Sequence, residues 1–293
     1  MNMRGDPFDL NDDAAWQRWR DAKLASAPQR TADLIVEVRD PRDLTQTERD
    51  ALNERIQRCN MAIYASPVLD EDSDLLRKLG TQFGLDHLDA NWLAGEDGVS
   101  SIRVVDAGTR QHYIPYTDKP IKWHTDGYYN PPERQIHAMV LHCVRDAASG
   151  GDNRLMDHEL CYLLLREQDP AHIEALMQPD VMTIPARVDD TDGVRAAQSG
   201  PVFSADAQGN LHMRYTARTR SIEWKKDDAT QAAVAALEAL LASDVPHVFS
   251  ARLQPGMGLL CNNVLHDRSA FTDDPQQPRL LYRARYLDRI ARA

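Results

Sequence analysis

Hydrophobic positions change their spacing near residue 100, and the chain reads as two textures on either side of it. Before that point, apolar residues recur mostly at helical intervals. An amphipathic helix is expected within 12–25 (DDAAWQRWRDAKLA), with Trp16 and Trp19 packing on the body of the protein. LIVEVRD (34–40) reads as a strand, and LTQTERDALNERIQRCN (44–60) as a helix capped by Thr45 or Thr47. MAIYASP (61–67) is a second strand ended by its proline. The segment 70–85 is a helix led by acidic residues, which suit the positive end of the helix dipole.

Beyond residue 100, short apolar runs alternate with turn residues. SIRVV, QIHAMVLHCV, NRLMD, DVMTIPARV, PVFSA, NLHMRYT, HVFSARL, MGLLCNN and RLLYRARYL all read as strands, separated by turns such as 149–152 and 208–210. Two helices interrupt them, over 158–177 and 227–244. This mixture predicts a mainly β fold with flanking helices, a sheet sandwich or jelly roll and not a doubly wound α/β sheet. With no repeat or linker visible, residues 1–293 are expected to form one domain. Its 1–100 portion, mixed α/β, would pack on a core formed by 101–293.

Composition narrows the functions open to such a fold. The net charge of −11 repels phosphate backbones and anionic lipids, and no basic run offsets it, so neither nucleic acid nor a membrane is an expected partner. No apolar stretch approaches bilayer length, and the polar N-terminus does not resemble a secretory signal. Cys59, Cys143, Cys161 and Cys261 are scattered, which fits neither a zinc cluster nor a disulfide framework and suggests the cytoplasm. A small molecule is the expected partner, and self-association stays open.

The chemistry centres on KWHTDGYY (122–129). On an extended segment His124 and Asp126 point the same way, so both can grip one metal. His266, after the apolar run PGMGLLCNN, is the candidate third ligand from a neighbouring strand. Two imidazoles and a carboxylate on one face of an octahedral ion leave the other face open, as in the facial triads of non-haem iron(II) oxygenases. The same ligands could instead serve a zinc or manganese hydrolase with an activated water, or the pocket could bind a small molecule without turnover. Arg279, thirteen residues after His266, shares a strand face with Leu281, Arg283 and Arg285. Arginines directed inward need anions to meet, and a guanidinium fork matches a carboxylate.

With H-x-D, a distal histidine after G-x-x-x-x-x-N-x-x-x-H, and an arginine about a dozen residues on, the chain resembles the TauD/TfdA family. Within it the chain looks most similar to the γ-butyrobetaine and trimethyllysine hydroxylase branch. That likeness runs through Tyr128 and Tyr129, LHCV (141–144), GGDN (150–153), GNLHMRYTARTR (209–220) and PGMGLLCNNVLHDRSAF (255–271), across roughly 110–290. The resemblance implies a double-stranded β-helix (jelly-roll, cupin-like) core. It also implies Fe(II) on His124, Asp126 and His266, with 2-oxoglutarate and O₂ as co-substrates. Arg279 would hold the distal carboxylate of 2-oxoglutarate, and Asn153 would lie near it.

Hydroxylation is the implied outcome, since related halogenases lack the carboxylate ligand. Tyr116, Tyr128, Tyr129, Tyr215, Arg283 and Arg285 are the candidate substrate residues. Tyr116 matches one wall of the aromatic cage used for quaternary ammonium groups. Arg285 replaces another such wall with a cation, and Arg283 matches a position that meets anionic groups in taurine-type members. An anionic or zwitterionic metabolite is therefore the expected substrate. The acidic run 189–192 lies in a long connection that could serve as a lid.

Overall fold

The computed structural model describes residues 5–89, 98–189, 193–219 and 222–291. Ten strands build two facing sheets: β1 (Ile35–Glu37), β2 (Met61–Ala65), β3 (Ser100–Ile102), β4 (Ile121–His124), β5 (Ala138–Arg145), β6 (Asn153–Met156), β7 (Val248–Ala251), β8 (Met257–Cys261), β9 (Leu265–Arg268) and β10 (Leu280–Tyr286). The larger sheet runs β1-β2-β8-β5-β10-β3 and the smaller runs β7-β6-β9-β4. All pairings in these sheets are antiparallel except β1 with β2.

Period-2 alternation decides what lies between the sheets. Met61, Ile63, Met139, Leu141, Cys143, Leu259, Cys261 and Leu281 face inward from the larger sheet. They meet Leu155, Phe249 and Ala251 from the smaller one. Their alternates Ala62, Tyr64, Val140, Leu260, Tyr282 and Ala284 face outward, under α2 (Gln46–Cys59) and α3 (Asp74–Thr81). The smaller sheet's outer face, through Trp123, Met156 and Leu265, is covered by α1 (Asp13–Ser26), α4 (His158–Gln168), α5 (Pro170–Leu176) and α6 (Asp228–Ala242). The result is a jelly roll with helices on both flanks, and β1 and β2 from the N-terminal portion extend its larger sheet.

Local sequence explains most element boundaries. Thr45 caps α2 as a reciprocal capping box with Glu48. Trp16 buries in the outer cluster, and Lys23 on the same helix pairs with Asp157 and Glu159 at 2.5 and 2.6 Å. The helix expected over 158–177 is in fact two. Pro170 cannot continue a ladder of backbone N–H donors, and Asp169 ends α4 while its side chain accepts from Ala171 N to start α5. The expected strand over 180–188 is likewise two short pieces, Met182–Ile184 and Arg187–Asp189. Of the acidic run 189–192, residues 190–192 lie outside the described residues. Among the described residues, no helix is long and apolar enough to cross a membrane.

Two buried histidines give the fold an acid dependence. Burial, then the charge of Arg42, pushes His142 from 6.5 down to about 4; its Nδ1 meets the Tyr64 hydroxyl at 2.9 Å. Burial also lowers His158 to about 4, with Nε2–H donating to Leu211 O. Between pH 6.5 and 4 the unfolded chain therefore holds protons that the folded chain refuses, so stability falls with pH across that window and levels off below it. Each site can contribute up to about 3 kcal/mol. Urea unfolding at pH 7 and pH 4.5 is expected to show the loss, and His158→Gln to remove part of the difference.

Candidate metal centre and active site

The register between two strands creates the centre. In the antiparallel pair β4–β9, His266 sits directly opposite His124, and the ring centroids are 4.2 Å apart. Just past the end of β4 the chain turns and brings Asp126 back, with Oδ1 3.7 Å from His124 Nε2. One ligand atom from each of the three residues lies within 4.8 Å of the others, and all three residues are buried. Among the described residues this is the one such group of His, Cys, Asp or Glu.

The turn depends on two residues that the sequence reading did not single out. Gly127 has φ +69, and a Cβ there would lie 2.3 Å from Ile136 Cγ1, so only glycine fits. Asn263, itself at φ 49, accepts from Asp126 N at 2.8 Å and donates to Asp126 O at 2.9 Å and Ile136 O at 2.7 Å. Its side chain thus fixes both backbone groups of a candidate ligand. The preceding Asn262 faces elsewhere, donating to Asn60 Oδ1 and accepting from Ile290 N.

Ring orientation is also set. His124 Nδ1 lies 2.9 Å from Lys122 O and His266 Nδ1 lies 3.0 Å from Val264 O. Carbonyl oxygens only accept, so both Nδ1 atoms carry the proton and both Nε2 lone pairs are left for a metal. Burial, then the neighbouring His124, pushes His266 down to about 3, which keeps it neutral. For Asp126, burial alone would raise the carboxyl. Arg283, the neighbouring His124 and Arg285 outweigh it and hold the group well below the usual carboxylate range. Arg283 Nη1 lies 3.2 Å from both Asp126 oxygens, yet the buried Oδ2 accepts no well-directed hydrogen bond. Two neutral imidazoles, a carboxylate and an unsatisfied ligand oxygen are a fit donor set for a divalent iron ion.

His124 and His266 open into a cavity between the sheets. Ile102, Pro115, Ile121, Met139, Leu141 and Leu281 supply its apolar wall; His124, His266, Asn153, Arg268, Arg279 and Arg283 are among its polar lining. Arg279 is 5% exposed, its guanidinium stands 4.9 Å from the Phe271 ring, and its buried Nη1 has no partner. Burial lowers its pKa, as expected where no carboxylate neutralises a buried cation. That orphaned donor fits the distal carboxylate of a keto acid. Asn153 lines the cavity beside it, with Nδ2 donating to Asp267 O at 2.8 Å.

The candidate substrate residues divide. Arg283 lines the cavity, as its strand face predicts. Tyr128 and Tyr129 flank the ligand turn with rings 5.2 Å apart, and Tyr129 OH accepts from Arg285 Nη1 at 2.9 Å. Arg285 is buried and also donates to Asp89 Oδ2 at 2.6 Å, so it does not stand free at the cavity. Tyr116 and Tyr215 do not line it either. Tyr116 is fully enclosed in the cluster between the sheets, and the Tyr215 ring packs in the outer cluster. Tyr215 serves through its backbone: its N–H meets Thr125 Oγ1 and its carbonyl accepts from Thr125 N, bracketing the residue between the two ligands.

Comparison with known proteins supplies the family. The family described as taurine catabolism dioxygenase TauD, TfdA family matches residues 23–285. The chain is 33% identical over 171 residues to a uridine-5'-phosphate dioxygenase of an Amycolatopsis species, covering 57% of this chain and 60% of that protein. It is 33% identical over 183 residues to a uridine-5'-phosphate dioxygenase of a Streptomyces species, covering 60% and 65%. The chain thus spans less than two thirds of these relatives, and neither is named as a γ-butyrobetaine or trimethyllysine hydroxylase, so that branch is not confirmed.

Among solved structures, an asparagine oxygenase in complex with Fe(II), 2S,3S-3-hydroxyasparagine and succinate superposes with a TM-score of 0.58. It is 15% identical, over 92% of both chains. The non-heme iron oxygenase OrfP in complex with Fe and alpha-ketoglutaric acid gives 0.61 at 16% identity, over 83% of this chain and 80% of that one. Identities this low speak for a shared fold alone. The family match, by contrast, spans most of the sequence, and the chain belongs to the TauD, TfdA family of iron(II)- and 2-oxoglutarate-dependent dioxygenases.

Proposed function

We propose that this protein hydroxylates a small anionic metabolite, with one atom of O₂ entering the product and 2-oxoglutarate leaving as succinate and CO₂. The observation that carries the reading is the convergence of His124, Asp126 and His266 in one cavity with the unpartnered Nη1 of Arg279. Iron(II), held by the three ligands, supplies the activation of O₂ that no protein side chain can perform.

The chain's own part is placement and exclusion. Lys122 O and Val264 O aim the two imidazoles, Arg283 steadies the carboxylate, and Asn263 fixes the backbone on which it rides. Arg279 grips the distal carboxylate of the co-substrate, with Asn153 beside it. The apolar wall of Ile102, Met139, Leu141 and Leu281 keeps bulk water from the reacting centre.

Charge supports an anionic primary substrate. Of the carboxylates at the site, Asp126 beside the cavity faces Arg283, and Asp267 in its lining is taken by Arg154 through Nε and Nη2. Arg268 and Arg279 have no carboxylate at ion-pair distance among the described residues, which leaves the cavity positive. Arg195, 5.2 Å from the Tyr129 ring, adds charge beside the ligand turn, where Arg285 is already paired with Asp89. A trimethylammonium group would meet repulsion there, and the enclosed Tyr116 offers it no cage wall. The names of the relatives make a nucleoside 5'-phosphate the first class to test. Succinate formation should be stimulated by uridine 5'-phosphate far more than by uridine or γ-butyrobetaine. Stimulation by γ-butyrobetaine and not by any anion would overturn the substrate assignment.

A further inference from the structure

Arg268 is a second buried cation in the cavity, and neither the metal triad nor Arg279 accounts for it. It sits two residues after His266, past an irregularity in the β4–β9 register, and is 4% exposed. Nη2 donates to Thr117 O at 2.7 Å and Lys119 O at 2.6 Å, and Nη1 reaches Pro115 O at 3.4 Å. These three carbonyls belong to one segment leading into β4, so the guanidinium is locked in orientation. All are neutral. Its remaining donor, Nε, is buried without a partner. The Arg268 guanidinium stands 4.8 Å from the Phe271 ring, against which Arg279 also packs, and both arginines line the same cavity.

Two buried guanidiniums sharing one ring repel each other. Such an arrangement costs stability unless an anion completes it. A single arginine would suffice to grip a carboxylate, so a paired station implies a demand for selectivity as well as affinity.

We propose that Arg268 joins Arg279 in binding the distal carboxylate of the co-substrate and thereby selects a dicarboxylate 2-oxo acid over a monocarboxylate one. This rests on the dioxygenase reading. Arg279 contributes the free Nη1 and Arg268 the free Nε, and a carboxylate held in the cavity between the two would satisfy both orphaned donors. Because the carbonyls of 115, 117 and 119 fix Arg268, the station does not collapse onto a shorter acid such as pyruvate. Loss of Arg268 should therefore weaken the distal contact and leave the keto-acid end unaffected.

The test is calorimetric binding of 2-oxoglutarate and of pyruvate to protein loaded anaerobically with Mn(II), for wild type, Arg268→Gln and Arg268→Lys. Melting temperature is recorded for each without co-substrate. Wild type is expected to prefer 2-oxoglutarate strongly. Arg268→Gln should weaken 2-oxoglutarate by about tenfold or more, the scale of a lost charge-assisted hydrogen bond, while pyruvate binding is unchanged. Arg268→Lys, which keeps the charge but not the fork, should fall between the two. Equal weakening of both acids, or a lowered melting temperature with the preference intact, would show that Arg268 only ties down the 115–119 segment and would overturn the proposal. Failure of wild type to bind 2-oxoglutarate would overturn the dioxygenase reading itself.

Discussion

Asp126→Ala is expected to abolish co-substrate turnover and to remove tight binding of a divalent metal. The carboxylate is one of three candidate ligands within 4.8 Å, and no other Asp or Glu among the described residues joins that group. Losing an outer partner of a metal ligand typically costs roughly 10–100-fold in affinity or activity, and losing the ligand itself should exceed that. The substitution also strands Arg283, whose side chain is 12% exposed and whose Nε has no partner. An uncompensated buried charge costs about 3–5 kcal/mol, so the variant should melt at a lower temperature as well. Asp126→Asn separates the effects, because it keeps the shape but not the charge. Metal titration followed by calorimetry checks both variants, and full retained turnover in Asp126→Ala would remove the residue from the triad.

Arg279→Gln is expected to act in two opposite directions. Binding of 2-oxoglutarate should weaken by roughly tenfold to a hundredfold, because a charge-assisted pair to the distal carboxylate is lost. The effect should appear in KM for the co-substrate more than in kcat, since the grip is the same before and during reaction. In the absence of co-substrate the variant should be more stable than wild type. Burial lowers the pKa of Arg279, its Nη1 has no partner, and Arg268 lies against the same Phe271 ring, so removing one cation relieves repulsion. Thermal unfolding with and without 2-oxoglutarate should therefore show curves that cross in rank. A variant less stable than wild type under both conditions would mean that Arg279 is a structural residue.

The candidate metal ligands were legible because ligation restricts residue type and short-range spacing. H-x-D placed two donors together, and an apolar run before His266 announced the strand that carries the third. Arg279 and Arg283 were legible for a related reason. Period-2 alternation puts Arg283 on the inner face of β10, opposite Tyr282 and Ala284, and Arg279 stands just before the strand begins. The break between α4 and α5 was also present, in Asp169-Pro170, but the apolar positions on both sides continue one helical pattern and mask it.

What sequence spacing cannot convey is which partner a side chain meets across the fold. Arg285 binds Asp89, 196 residues away, and so does not stand free at the cavity. Tyr116 and Tyr215 lie near the site along the chain, yet their rings turn into apolar clusters on either side of the smaller sheet. Asn263 and Arg268 matter because of backbone groups brought to them by a turn and by a register irregularity. Neither is visible until the strands are paired.

The most direct test is anaerobic addition of Fe(II) and 2-oxoglutarate, followed by visible absorption in the region of the weak charge-transfer band of a chelated 2-oxo acid. A band that forms in wild type, needs both additions, is lost in Asp126→Ala and requires much higher 2-oxoglutarate in Arg279→Gln is the expected result. No band in folded, iron-loaded protein would contradict the assignment of these residues to an iron and 2-oxoglutarate site.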